Sequence, residues 1–260
     1  MRAEAEFIQR VFREAAPLAL GGDRTTKSKD TALGVYDVVT GSDVLVENLV
    51  LSRIAEEYPD HSVISEETHP DAEEGERCWI LDPIDGTMNY SRNIPFFGLQ
   101  AAMVEDGVPV VSCVYLPVFD EMYVATEDGA YLNGERMHTA SPRPLRECLV
   151  STGDFSRRAV EYREGQARLM SRAYDRIGRF KMFGASCVDY AYLSCGRTDV
   201  HIRYLNKKWD YLPGLFLAMK AGAVFDHDLT KEHRLLILCS SQEVSDEAVR
   251  TIAPIMLGKE

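Results

Sequence analysis

Long apolar runs are missing from this chain of 260 residues. None approaches the roughly 20 consecutive residues of a membrane span, so no membrane insertion is expected. The amino terminus carries Glu4, Glu6 and Arg10 where a signal peptide would be apolar, which points to the cytoplasm. The six cysteines form no C-x-x-C pair, which speaks against zinc. Most stand in apolar runs such as Ile237-Leu238-Cys239, where a free thiol acts as a small hydrophobe in a reducing compartment. The six histidines are scattered, and none sits near enough to Asp or Ser in sequence to suggest a hydrolase triad. Positive charge is scarce: 29 Lys and Arg against 41 Asp and Glu give a net charge of -12. That balance excludes a general binder of nucleic-acid polymers, which needs clustered cations. A small phosphorylated metabolite remains compatible if a divalent metal offsets the local acid. Repeats and low-complexity segments are absent too, and the length allows one large domain or two lobes sharing an interface.

What the chain does contain is a dense block, Trp79-Ile80-Leu81-Asp82-Pro83-Ile84-Asp85-Gly86-Thr87. An apolar run ends there in two carboxylates around a proline that fixes its own backbone and pushes the preceding residue toward extended geometry. Gly86 permits close approach of backbone to a ligand. A helix starting near Thr87 would point its first amides at a phosphate beside a hard cation. Asp, Pro and Gly are also ordinary turn residues, so the block alone leaves a plain turn open. Three further segments bear on the choice. Ile64-Ser65-Glu66-Glu67-Thr68 again follows an apolar stretch with acids, Lys208-Trp209-Asp210 opens an apolar run to Ala223, and Val38-Val39-Thr40-Gly41-Ser42-Asp43 completes the set.

Glu66-Glu67, the block from Asp82 to Thr87 and Trp209-Asp210, in this order, resemble the inositol monophosphatase family, and the likeness spans nearly the whole chain. Gly129-Ala130 with Asn133-Gly134, and Gly184-Ala185-Ser186 before a helix, agree with it. The resemblance implies an α/β (α+β) fold, a layered αβαβα sandwich with the metal site between two lobes. It implies a lithium-sensitive, Mg2+-dependent phosphatase, commonly a homodimer. Glu66, Asp82 and the backbone carbonyl of Ile84 would hold one metal, and Asp82, Asp85 and Asp210 a second, with room for a weaker third. Glu66 is chosen over Glu67 because neighbours on a strand face opposite sides. Thr87 resembles the family threonine that, paired with an aspartate matching Asp43, orients and deprotonates the attacking water. Glu66 joins Asp43 and Thr87 as a catalytic residue. Asp43 is also a natural helix cap, and both roles are compatible.

For substrate, the Gly86 and Thr87 amides would bind the phosphate, while Gly153, Asp154, Gly184, Ala185 and Ser186 would line the leaving-group pocket. In animal inositol monophosphatases a glutamate seven residues before the Trp-Asp aspartate contacts inositol hydroxyls, and here that position is Arg203. A guanidinium there, with Lys207 and Lys208 following, favours a second phosphate or another anionic group, against the alternative of a solvated basic loop. Inositol 1-phosphate or a related sugar phosphate is the first expectation. Fructose 1,6-bisphosphate, histidinol phosphate and 3'-phosphoadenosine 5'-phosphate are alternatives. Lys29 is a further candidate for the phosphate, against simple solvation. An aspartyl-phosphate phosphatase is disfavoured because two residues, not one, separate its aspartates here. A non-catalytic metal-binding regulatory protein is the competing class.

Periodicity predicts helices over 3–20, from Ser42 or Asp43 to about Tyr58 on a Leu45, Leu49, Ile54 face, and over 156–174, 186–195 and 210–221, with a last one from about Ser245. Residues 23–30 read as a loop or hairpin. Strands are expected at 61–65, 78–81, 98–105, 108–115, 121–126, 147–152, 181–183, 200–202, 224–225 and 235–239. Asp106-Gly107 and Asn133-Gly134 signal tight turns. Ser141-Pro142-Arg143-Pro144 is the expected lobe junction, giving an N-terminal lobe over 1–143 with most metal ligands and a C-terminal lobe over 144–260 with Asp210 and the substrate pocket.

Overall fold

Five layers stack in the order helix, sheet, helix, sheet, helix, in a computed structural model that describes residues 2–29, 38–156 and 159–259. Asp30, Arg157 and Arg158, which fall in the predicted loop and helix, lie outside the described residues. The first layer is α1 (Ala3–Gly21) with α2 (Gly41–Glu57). Their apolar stripes, Phe7, Ile8, Val11 and Phe12 on one and Val46, Val50 and Ile54 on the other, bury against Trp79, Leu81 and Met103 of the first sheet. That sheet has seven strands in sequence order. They are β3 (Ser62–Ser65), β4 (Arg77–Asp85), β5 (Gly98–Glu105), β6 (Val108–Leu116), β7 (Glu121–Thr126), β8 (Gly129–Leu132) and β9 (Glu135–Arg136). β3 and β4 are parallel and the rest antiparallel. At both Asp106-Gly107 and Asn133-Gly134 the two residues have positive φ, the paired geometry of a tight hairpin turn.

The middle layer is α5 (Ser186–Ser194) and α6 (Lys208–Ala221). Cys187, Val188, Phe216 and Leu217 pack on the first sheet, while Tyr190, Leu193 and Ala218 pack on Leu236 and Leu238 of the second. Gly214 lets the two helices touch: a Cβ there would lie 2.3 Å from the Tyr190 ring. The second sheet has the order β11-β10-β12-β14-β13, built from β10 (Leu149–Thr152), β11 (Arg179–Lys181), β12 (Val200–Tyr204), β13 (Val224–Phe225) and β14 (Leu235–Cys239). α4 (Val160–Arg172) and α8 (Gln242–Leu257) cover its far face with Leu169, Ala248 and Ile252. Ser141 to Pro144 falls between the segments that build the two sheets. Residues 26–28 (β1) pair antiparallel with 38–40 (β2), and the short α3 (Thr87–Ser91) follows β4.

Several boundaries differ from the periodicity reading, each for a local reason. Thr40, not Ser42 or Asp43, caps α2, with Asp43 completing a reciprocal capping box from the third helical position. The buried face of α2 is therefore Asp43, Val46, Glu47, Val50 and Ile54, and Leu45 is exposed. β11 ends at Lys181, because the Phe183 carbonyl is drawn off to the Asn89 side chain. α8 starts earlier than Ser245 because Ser241 caps it. α7 (His227–His233), capped by Asp226, buries none of its residues, so no apolar stripe announced it.

Candidate active site

Asp82 and Asp85 belong to one strand end, yet residues three apart on a regular strand face opposite ways. A bulge resolves this: Asp82 pairs with Gln100 and Asp85 with Gly98, so β4 carries one residue more than β5 between those pairs. Pro83 stands in the bulge, where it has no ladder hydrogen bond to break. Both carboxylates consequently turn toward the start of α5. Asp85 Oδ2 accepts from the Cys187 amide at 2.5 Å, in the first turn of that helix, where the dipole favours an anion. Asp82 Oδ2 accepts from Gln100 Nε2 at 3.4 Å, and the same amide reaches Ser186 Oγ at 3.3 Å. Asp82 Oδ1 is buried with no hydrogen-bond partner among the described residues.

Glu66 follows β3, in a turn held by a residue that sequence reading missed. Glu47, wholly buried on α2, accepts from Ser65 Oγ at 2.8 Å, the Glu67 amide at 3.0 Å and the Thr68 amide at 2.7 Å. Its signal was present in the chain: Glu47 stands four residues after Asp43, on the face that Val50 and Ile54 continue. Ligand oxygens of Glu66, Asp82 and Asp210 all lie within 4.8 Å of one another. Burial holds the Asp82 carboxyl well above its usual range, and the charges of Glu66, Asp85 and Asp210 add to this. Burial likewise pushes Glu66 up to about 8, opposed by Lys29, and raises Asp210, opposed by Arg203. Lys29 is no solvated loop lysine: its Nζ lies 2.7 Å from Glu66 Oε1 and 2.7 Å from Glu67 Oε1. Such crowding of carboxylates is the environment a cation relieves.

Asp43 is wholly buried. Its Oδ2 accepts from the Thr40 amide at 2.8 Å and from the Thr40 hydroxyl, and its Oδ1 from Thr87 Oγ1 at 3.3 Å. Burial raises its pKa. Thr87 Oγ1 also lies 3.1 Å from the Ile84 carbonyl, so this hydroxyl bridges the paired aspartate and the acidic turn. Gly86, at φ 88°, is the hinge: a Cβ there would meet Ala185 Cβ at 2.8 Å and the Phe96 carbonyl at 3.0 Å. Ala185 thus packs behind the Asp85–Gly86 turn, Gly184 lies against Asn89, and Ser186 lies beside Gln100.

Arg203 lies on β12, paired with Leu236 of β14, and not on a basic loop. Its Nη2 is 3.5 Å from Asp210 Oδ2, and its buried Nε has no hydrogen-bond partner among the described residues. A cleft of about 1200 Å3 opens over these groups, lined by Lys29, Glu66, Glu67, Gly153, Asp154, Arg203, Lys207 and Asp210 among others. Trp209 is buried with Ile64, Cys78 and Ile80, a core position. Behind the cleft the fold does assemble a serine, a histidine and an aspartate: His201 Nδ1 is 2.8 Å from Ser151 Oγ and 3.8 Å from Asp189 Oδ1. All three are buried, and one nitrogen faces both partners, so this is core and not a hydrolase triad.

The donor set suits a hard divalent cation. It consists of carboxylate oxygens, with the partnerless Asp82 Oδ1 among them, and Mg2+ prefers such ligands.

The profile of the inositol monophosphatase family matches residues 2–253. A protein named fructose-1,6-bisphosphatase/inositol-1-monophosphatase from Thermotoga maritima is 30% identical over 227 residues, covering 86% of this chain and 85% of that protein. The Nus factor SuhB of Escherichia coli is 30% identical over 206 residues, covering 78% of this chain and 76% of its own length. The solved Thermotoga maritima IMPase superposes with a TM-score of 0.87 at 26% identity, over 100% of both chains.

Proposed function

Since the chain belongs to the inositol monophosphatase family, we propose that it hydrolyses a small phosphate monoester, inositol 1-phosphate or a related sugar phosphate, with Mg2+ as cofactor. The observation that carries this reading is the Thr87 hydroxyl on Asp43, set beside the cluster of Glu66, Asp82 and Asp210. Those carboxylates, with Asp85 and the Ile84 carbonyl, would hold two metals and a weaker third. Bound Mg2+ supplies positive charge for the phosphate and lowers the pKa of water from about 15.7 toward 7. Thr87 takes the proton of the attacking water as it passes its own to Asp43, whose raised pKa suits it to keep one. The Gly86 and Thr87 amides bind the phosphate. Gly153 and Asp154 face the leaving group in the cleft, while Gly184, Ala185 and Ser186, expected beside them, are not among the residues that line it and act at most by supporting the Gly86 turn.

Arg203 and Lys207 in the cleft favour a second reading, a substrate with another anionic group such as fructose 1,6-bisphosphate, as the name of the Thermotoga relative has it. Histidinol phosphate and 3'-phosphoadenosine 5'-phosphate test the same contact. A regulatory role without turnover is the reading that the Nus factor name favours. A phosphate-release screen over these four substrates decides: release from one or more supports the phosphatase, and release from none supports the regulatory class. We further take the protein to be cytoplasmic, with lobes over 1–143 and 144–260. We also take it to be a homodimer. Among the described residues no helix is long and apolar enough to cross a membrane.

A further inference from the structure

Lys29 occupies a carboxylate that the metal reading needs. Its ammonium sits 2.7 Å from Glu66 Oε1, and Glu66 belongs to the metal cluster. It sits equally close, at 2.7 Å, to Glu67 Oε1, and Glu67 is no part of that cluster. The two acids differ in freedom. Glu67 has its amide tied to Glu47, and its side chain is only 6% exposed, against 24% for Glu66. An ammonium and a metal ion compete for the same carboxylate lone pairs, since Lys has donors only. We propose that Lys29 is an internal counter-cation of the metal site. It neutralises Glu66 until a divalent cation takes that carboxylate, and Glu67 is the positioning residue that then retains the ammonium at the rim of the cleft. There Lys29 has a donor free for an anionic group of the substrate. This rests on the metal-dependent reading above, and gives the adjacent Glu66 and Glu67 separate tasks.

The test is Mg2+ binding to the full chain, stripped with chelator, by titration calorimetry, together with thermal midpoints with and without Mg2+. Lys29→Met is expected to bind Mg2+ about tenfold more tightly, since a charge-assisted competitor has gone. Its midpoint without metal drops, and its midpoint in saturating Mg2+ matches wild type. Lys29→Arg, which keeps the charge, stays near wild type and controls for lost packing. Glu67→Gln binds Mg2+ more weakly than wild type because Lys29 then falls wholly on Glu66. In a Lys29→Met background the same change has a smaller effect. Equal or larger weakening by Glu67→Gln in that background overturns the proposal, since loss of negative charge alone would explain it. So does a Lys29→Met protein that binds Mg2+ no more tightly. Wild type that binds no Mg2+ overturns the metal reading itself, which separates the two failures.

Discussion

Asp43→Asn separates the proton relay from the metal site. The native carboxylate accepts from the Thr40 amide at 2.8 Å, from the Thr40 hydroxyl, and from Thr87 Oγ1 at 3.3 Å. An asparagine keeps the shape but has a single acceptor oxygen, so it serves the helix cap or Thr87 and not both. Losing the cap interaction costs about 1 kcal/mol. The neutral amide recovers part of that, because burial already disfavours the charge. For a chain of this size the thermal midpoint should fall by no more than a few degrees, roughly 2–4 °C per kcal/mol. Turnover should fall by about 100-fold or more, the contribution of a positioned general base. Mg2+ affinity should hold, because Asp43 is outside the carboxylate cluster. Phosphate release at saturating substrate, alongside Mg2+ titration calorimetry, reads both. Turnover within about twofold of wild type would refute the relay, and loss of Mg2+ binding would make Asp43 a ligand instead. Thr87→Val should cost as much, and the double variant little more, as for groups that act as a unit.

Three other outcomes follow from particular contacts. Gly214→Ala puts a methyl 2.3 Å from the Tyr190 ring, an overpacking cost of about 1–3 kcal/mol against a helix-propensity gain of about 1; a urea midpoint at or above wild type would contradict this. His201, pushed down to about 3 by burial and then by the Arg203 charge, stays neutral when folded while the unfolded chain takes up a proton near 6.5. The unfolded state therefore binds more protons between these values. Stability held above pH 6.5 is lost as pH falls toward 3, by at most about 1.4 kcal/mol per unit. The wild-type stability advantage over His201→Gln should shrink across that window, and a flat difference counts against the assignment. Arg203→Glu should move the substrate ranking away from bisphosphates toward inositol 1-phosphate in the release screen; an unchanged ranking removes Arg203 from substrate recognition.

The acidic block was legible because its chemistry is local: Asp82, Pro83, Asp85 and Gly86 are each constrained by their immediate neighbours. Even so, the bulge that turns both aspartates the same way depends on β5 and cannot be seen in β4 alone. The strands from β5 to β7 followed from alternation and tight turns, and α7 did not, since a helix with no buried face leaves no period. Distant partners were harder to see. Glu47 works through Ser65 and Thr68, Lys29 through Glu66 and Glu67, and Arg203 through Asp210, pairings that fold topology sets and local sequence does not. For Arg203 the sequence leaves a contact for an anionic group open against a basic loop, because the strand predicted over 200–202 stops one residue short of it, whereas β12 runs on to Tyr204.

The most direct test of the central claim is phosphate release from inositol 1-phosphate by wild type and by Asp82→Asn, each in Mg2+ and in excess chelator. Asp82 belongs to the cluster, and one of its oxygens has no hydrogen-bond partner among the described residues. The account predicts turnover for wild type in Mg2+ and near-background rates in the other three conditions. Full turnover by chelated wild type, or by Asp82→Asn, would contradict it.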